Sequence, residues 1–104
     1  MPRKVSDLIA QINPEAVVVD GMEIALIGLA YRSGISPVAC YDKTECAKIV
    51  MKEHTVSYKD AIEWLEENIF SVYAGVYTPI FIKDLRNGTN KSTKIKNFNK
   101  KETR

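Results

Sequence analysis

Metal-ligating and redox-active residues are scarce in this sequence, which has two cysteines, Cys40 and Cys46, and one histidine, His54. Three such residues at these spacings do not form a recognisable zinc motif. A phosphate-binding loop, a dinucleotide fingerprint and the nucleophile elbow of hydrolases are also missing. We therefore expect no metal site, no cofactor and no enzymatic activity.

Long hydrophobic runs are missing as well. No apolar stretch approaches the roughly 18 residues that a membrane-spanning helix needs. The segment after Met1 has neither the apolar region nor the small-residue cleavage site of a secretory signal. We therefore expect no membrane contact and a cytoplasmic location, where cysteines normally stay reduced.

What remains is the composition of one soluble globular domain: 104 residues, 45% hydrophobic and 27% charged. The apolar pattern predicts an α+β fold with a small, mainly antiparallel sheet, formed by a hairpin and edge strands and covered on one face by two consecutive helices. The predicted strands are 16–19, 24–31, 37–41 and 76–82. The predicted helices are 6–12, one that begins after Asp42 and one that begins after Ser57.

Helix caps and breakers support these assignments. Asp42 with Glu45 three residues later, and Ser57 with Asp60, are helix N-terminal signatures. Pro79 places the last strand at a sheet edge, because proline has no N–H to donate. The helix after Ser57 carries a strong apolar face, from which we predict a largely buried Trp64. That face consists of Ala61, Ile62, Trp64, Leu65, Ile69 and Tyr73.

Charge divides the chain into a predicted compact domain, residues 1–82, and a basic flexible tail, residues 83–104. The tail has eight basic and two acidic residues, a net charge of +6, whereas residues 1–82 carry −4. It has too few large apolar residues to offset the entropy of ordering it. The tail residues that could contact nucleic-acid phosphates are Lys83, Arg86, Lys91, Lys94, Lys96, Lys100 and Lys101.

A run of motifs from Asp20 to Phe81 resembles a group of small bacteriophage and prophage proteins of uncharacterised function. The matching residues are Asp20-Gly21, Ala25-Leu26-Ile27-Gly28, Tyr41-Asp42, Cys46, Met51, Ala61, Glu63, Glu67-Asn68, Tyr73-Ala74-Gly75 and Thr78-Pro79-Ile80-Phe81. The tail lies outside this pattern. The resemblance implies a phage setting, hence the cytoplasm of a host cell, but it implies no activity.

The candidate partner-binding residues lie on the last predicted helix: Asp60, Glu63, Glu66, Glu67 and Asn68. Four acids on one rigid helix can contact a basic groove on another protein. The alternative is a solvated helix face, with Asn68 bonded to the backbone of the Gly75 turn.

Two other groups of residues, the cysteines and a set of acidic and tyrosine side chains, can be explained by structural roles. Cys40 and Cys46 are interpreted as reduced core thiols, although a position near a helix N-terminus can lower the pKa of Cys46 and make it reactive. Asp20, Tyr41 and Asp42 can be acid–base or metal-binding groups, or a turn residue, a core residue and a helix cap.

The sequence supports three hypotheses about function. The leading hypothesis is a non-catalytic phage-type protein that docks on a host protein through the acidic helix and modulates or inhibits it. The second is a nucleic-acid-binding accessory protein that uses the basic tail. The third is a binder of a small charged metabolite at the junction between the hairpin and the following helix.

Overall fold

Three α-helices and three strands make up the computed structural model, which describes residues 5–86. The elements are α1 (Val5–Ile12), β1 (Leu26–Ala30), β2 (Val38–Asp42), α2 (Lys43–His54), α3 (Tyr58–Leu65) and β3 (Ile80–Ile82). A 3₁₀ turn, Glu23–Ala25, precedes β1, and a π-helical segment, Glu66–Phe70, follows α3. The predicted α+β class is confirmed. Most of the predicted tail, residues 87–104, lies outside the described residues.

The sheet has the strand order β1-β2-β3. β1 and β2 form the predicted antiparallel hairpin, with Ala30 opposite Val38. β3 pairs with β2 in parallel, so the sheet is mixed, and it occupies an edge as Pro79 predicted. The parallel pairing arises because the chain leaves β2 through two helices and a loop, a crossover long enough to bring it back to the same end of the sheet.

The predicted strand over 16–19 is wrong. Within the part of the chain that the structure describes, this segment joins no ladder, and Val18 is 43% exposed rather than buried on both faces. Instead, the Val19 N–H donates to Tyr41 Oη at 2.8 Å, and the Val17 N–H donates to the Tyr77 carbonyl at 3.3 Å. Three valines favour an extended backbone, but side chains and a loop satisfy that backbone here, and no strand pairs with it.

The last predicted strand, 76–82, is shorter than its apolar pattern. A turn takes up its first half: Gly75 has φ +95°, and the Thr78 N–H donates to the Gly75 carbonyl at 3.1 Å. Thr78 Oγ1 also accepts from the Ala74 N–H at 2.8 Å. Only the residues after Pro79 remain free to pair with β2.

The core is centred on β2, every residue of which is buried. Tyr41 is 1% exposed, and its ring stacks on Phe81 of β3 with centroids 5.4 Å apart. Phe81 in turn contacts Phe70, at 4.7 Å between centroids. The buried cluster contains Ile9, Met22, Ala25, Leu26, Ala39, Tyr41, Cys46, Ala47, Val50, Ala61 and Leu65. Residues of α1, the hairpin, α2 and α3 therefore share one core.

Asp42 joins strand to helix without a loop. It is the last residue of β2 and the N-cap of α2, and it is 8% exposed. Its Oδ1 accepts hydrogen bonds from the backbone N–H groups of Thr44, at 2.8 Å, and Glu45, at 3.1 Å. The predicted cap is confirmed, and the same side chain fixes the direction in which α2 leaves the sheet.

We expect Asp42→Ala to lower the free energy of unfolding by about 1–2 kcal/mol, because two partly buried N–H groups in the first turn of α2 lose their acceptor. Asp42→Asn is the matched control, since asparagine caps helices about as well as aspartate, and it should retain most of the stability. Urea unfolding followed by circular dichroism measures both. Equal losses in the two variants would show that the charge of Asp42, rather than its hydrogen bonds, stabilises the junction.

The predicted burial of Trp64 is wrong. Its side chain is 40% exposed, whereas Ala61 and Leu65, one turn apart on the same helix, are completely buried. The indole lies against His54 at the end of α2, with ring centroids 5.5 Å apart. Tyr73 is also exposed, because the helical path ends at Phe70. The buried stripe of α3 is narrower than its apolar pattern, and Trp64 lies at its margin.

We therefore expect Trp64→Ala to cost about 1 kcal/mol of unfolding free energy, well below the roughly 3–5 kcal/mol of a buried aromatic residue. Leu65→Ala, at the adjacent buried position, should cost about 2–5 kcal/mol. Urea unfolding of the two variants in parallel gives the comparison. A loss for Trp64→Ala as large as that for Leu65→Ala would contradict this placement.

Candidate functional site

The predicted partner-binding residues all lie on the exposed side of α3 and the π-helical segment. α3 begins where Ser57 Oγ accepts from the Asp60 N–H at 3.1 Å, as predicted. The exposed side chains are those of Asp60, Glu63, Glu66, Glu67 and Asn68. The structure thus brings them to one region of the surface and places none of them in the core.

Trp64 lies in the middle of this acidic surface. The sequence predicted the acidic residues but not the exposed tryptophan among them. It is four residues after Asp60, three before Glu67 and four before Asn68, so all three flank it along the helix. Asn68 Nδ2 donates to the Trp64 carbonyl at 2.8 Å. The predicted alternative, a bond from Asn68 to the Gly75 turn, is replaced by this contact within the helix. We define the outer face of α3 as Asp60, Glu63, Trp64, Glu66, Glu67 and Asn68.

A lysine borders the outer face of α3. Lys59 Nζ lies 2.9 Å from Glu63 Oε2, one helical turn away, and this bond raises the pKa of Lys59. The pair is exposed and screened by solvent, so it contributes little to stability. Its larger effect is to neutralise Glu63 and leave the excess negative charge at Asp60, Glu66 and Glu67.

The helix changes its winding under these residues. Glu66–Phe70 is π-helical, directly after the α-helical turn that carries Trp64. Such short π segments are rare and occur frequently at functional sites. Ser71 Oγ donates to the Glu67 carbonyl at 3.5 Å and lies at the end of this segment. The spacing of the apolar residues alone did not indicate the wider winding.

The proposed acid–base group of Asp20, Tyr41 and Asp42 has structural roles. Tyr41 Oη accepts from Val19, and Asp42 Oδ1 accepts from the first turn of α2. Asp20 is exposed, next to the turn at Gly21. Burial raises the pKa of Tyr41 above its usual value. Two of the three side chains therefore use their polar atoms to hold backbone segments together.

Cys40 and Cys46 are free and buried, which confirms the interpretation as core thiols. Burial, reinforced by the nearby carboxylates of Asp42 and Glu45, raises the pKa of Cys46 to about 11. The pKa of Cys40 is also raised, by burial and by Asp42. The alternative of a lowered Cys46 pKa is wrong, because burial outweighs the field of the helix N-terminus.

We expect neither thiol to react with iodoacetamide at pH 8 in the folded protein, since the thiolate is the nucleophile. Both should react in urea. The raised pKa of Cys46 also means that the folded state favours the protonated thiol, so its contribution to stability is present below pH 9 and is lost as the pH rises towards 11. Mass spectrometry after timed alkylation measures the first effect. Fast labelling of native Cys46 at pH 8 would contradict it.

The basic residues proposed for nucleic-acid binding are described only in part. Arg86 holds Asp84 with two side-chain bonds, Nε to Oδ1 at 3.0 Å and Nη2 to Oδ2 at 2.9 Å, and they lower the pKa of Asp84 to about 2. Lys83 is exposed directly after β3. Outside the described residues lie Lys91, Lys94, Lys96, Lys100 and Lys101.

Within residues 5–86, no three His, Cys, Asp or Glu side chains come together as metal ligands, and no helix is long and apolar enough to cross a membrane. Comparison with protein-family models, with curated proteins and with solved structures gave no match. The candidate site therefore rests on the geometry of the chain itself.

Proposed function

We propose that this protein is a non-catalytic binding protein that docks on a basic surface of another protein through the outer face of α3. The observation that carries the proposal is the 40% exposure of Trp64 among the acidic side chains of that face. A buried tryptophan would have left only a solvated acidic helix. An exposed one adds a large apolar anchor to a charged rim.

This combination suits protein recognition. Tryptophan is enriched among the few residues that supply most of the binding energy of an interface, because it buries a large area with little loss of conformational entropy. Surrounding charges add little net affinity but accelerate association and select the partner. The excess carboxylates of Asp60, Glu66 and Glu67 would select a partner patch rich in lysine and arginine.

The nature of the partner follows from the resemblance to small bacteriophage proteins. In that setting, a small phage protein acts in the host cytoplasm, and we propose that the partner is a host protein with a basic groove. Occupation of such a groove would modulate or inhibit the host protein. The rigid helical scaffold supports this reading, because the docking residues need little ordering on binding.

The test is capture of host-lysate proteins on the immobilised full chain, followed by affinity measurement with the captured partner. We expect Trp64→Ala and the double variant Glu66→Lys/Glu67→Lys each to weaken binding by about tenfold or more. The double reversal leaves the Lys59–Glu63 pair intact. Its matched control is Glu15→Lys/Glu53→Lys, which makes the same charge change at exposed positions elsewhere and should alter binding less than about threefold.

A second set of variants separates this proposal from nucleic-acid binding by the tail. Replacement of Lys91, Lys94, Lys96, Lys100 and Lys101 by glutamine in the full chain should leave partner binding nearly unchanged. If this variant abolishes binding while the reversals on α3 have no effect, the tail is the working surface. The steep salt dependence of phosphate contacts would then accompany the result.

A further inference from the structure

A cleft of about 450 Å³ lies beside α3, on the side where Lys59 meets Glu63. Its volume is within the range of roughly 300–1,000 Å³ that small-molecule sites occupy. The lining residues are Lys43, Tyr58, Lys59, Ile62, Glu63 and Lys83. Three of these six, Lys43, Lys59 and Lys83, carry an ammonium group.

Sheet register brings two of the lysines together. Asp42 pairs with Ile82 in the parallel ladder between β2 and β3. The next residue of each chain segment is a lysine, Lys43 and Lys83, so both follow the carboxyl ends of adjacent parallel strands. Neighbouring strands lie about 4.8 Å apart, which keeps the two lysine backbones close.

The cleft has more positive than negative charge. Of the described residues that line it, Glu63 alone is acidic, and Lys59 Nζ already lies 2.9 Å from its Oε2. Within residues 5–86, no carboxylate lies within ion-pair distance of Lys43 or Lys83. Lys43 Nζ instead lies 4.9 Å from the centre of the Phe70 ring, a cation–π contact that holds it at the cleft wall. Among the described residues, these two positive charges thus have no carboxylate as counter-charge.

The rest of the lining is apolar. Ile62 is half-buried, and the ring of Tyr58 is 42% exposed, so each offers apolar surface to a ligand. A phenol can also donate a hydrogen bond to an anionic oxygen. A ligand that fits both parts of the cleft has a compact charge of about −2 and a flat apolar group. A phosphate monoester, with a charge of about −1.5 to −2 at pH 7, supplies the first.

We infer that this cleft binds a small phosphate monoester that carries a flat ring, of the size of a nucleoside monophosphate. Lys43 and Lys83 bind the phosphate, and Lys59 can reach it from the first turn of α3. Tyr58 and Ile62 pack against the ring. The third hypothesis from the sequence is a small charged ligand bound at the hairpin–helix junction. This cleft would be the site of that ligand. Binding here does not depend on protein docking through Trp64.

The test is a titration of the ¹⁵N-labelled full chain with adenosine 5′-monophosphate at low ionic strength, with adenosine and inorganic phosphate as separate probes. We expect amide shifts at Lys43, Tyr58 and Ile62, and an affinity for the monophosphate at least about tenfold above that for either fragment. A rise in melting temperature with ligand concentration should accompany binding.

Charge variants locate the site. Lys43→Gln/Lys83→Gln should weaken binding by about tenfold or more, because both phosphate contacts are lost. Lys43→Arg/Lys83→Arg keeps both charges and should stay within about threefold of the original affinity. Lys48→Gln/Lys52→Gln, on the exposed side of α2, is the control and should change nothing. The melting temperature without ligand shows that each variant folds.

Three results would overturn the inference. One is the absence of amide shifts at the cleft residues up to about 10 mM monophosphate, because a dissociation constant above that concentration is not useful affinity. Another is binding that the glutamine variant retains or that the Lys48/Lys52 control loses equally. The third is tighter binding, by at least tenfold, of a short single-stranded oligonucleotide than of the monophosphate, if glutamine replacements in the tail remove this difference. The replaced residues would be Lys91, Lys94, Lys96, Lys100 and Lys101. Such a result would assign the phosphate contacts to nucleic acid.

Discussion

The rest of the structure depends on the junction at Asp42, where a buried strand turns into a helix within one residue. The carboxylate accepts two backbone hydrogen bonds and fixes the start of α2 against the sheet. α2 then positions α3 across the shared residues Cys46, Val50, Ala61 and Leu65. The partner of Asp42 in the ladder, Ile82, determines where β3 ends. The positions of both proposed binding surfaces, the outer face of α3 and the lysine cleft, therefore depend on this junction.

Tyr41, one residue earlier, connects the remaining pieces. Its ring stacks on Phe81, which secures β3, and its hydroxyl accepts from Val19, which secures the segment between α1 and the hairpin. The side chain is almost fully buried. The extended valine segment thus donates from Val19 to Tyr41 Oη and from Val17 to the Tyr77 carbonyl, and the Val19 carbonyl accepts from the Met22 N–H.

Local signals were sufficient to predict the hairpin, the two helix caps and the edge position of the last strand. Each depends on residues close in sequence: the short connection between the predicted strands 24–31 and 37–41, the carboxylate of Asp42, the hydroxyl of Ser57 and the ring of Pro79. The errors concern long-range packing. Whether Ala16–Val19 becomes a strand depends on a free neighbour in the sheet, and whether Trp64 is buried depends on how much of α3 the core covers. Neither quantity is present in local spacing.

The acidic residues of α3 were predicted from the sequence as a partner-binding set. The exposure of Trp64 adds an apolar side chain to that set. The lysine cleft had no sequence signal, because Lys43, Lys59 and Lys83 come from three separate elements and meet only through the parallel register of β3. Glu63 belongs to both regions, since it lies on the outer face of α3 and lines the cleft.

Trp64, the proposed anchor of the docking surface, is the one tryptophan of the chain. Incorporation of 5-fluorotryptophan therefore gives a single ¹⁹F resonance that reports on this position alone. Our account predicts that the resonance shifts when the captured partner saturates the protein, and that its solvent isotope shift decreases as water is excluded. A resonance with unchanged position and unchanged solvent isotope shift at saturation would show that the partner binds elsewhere.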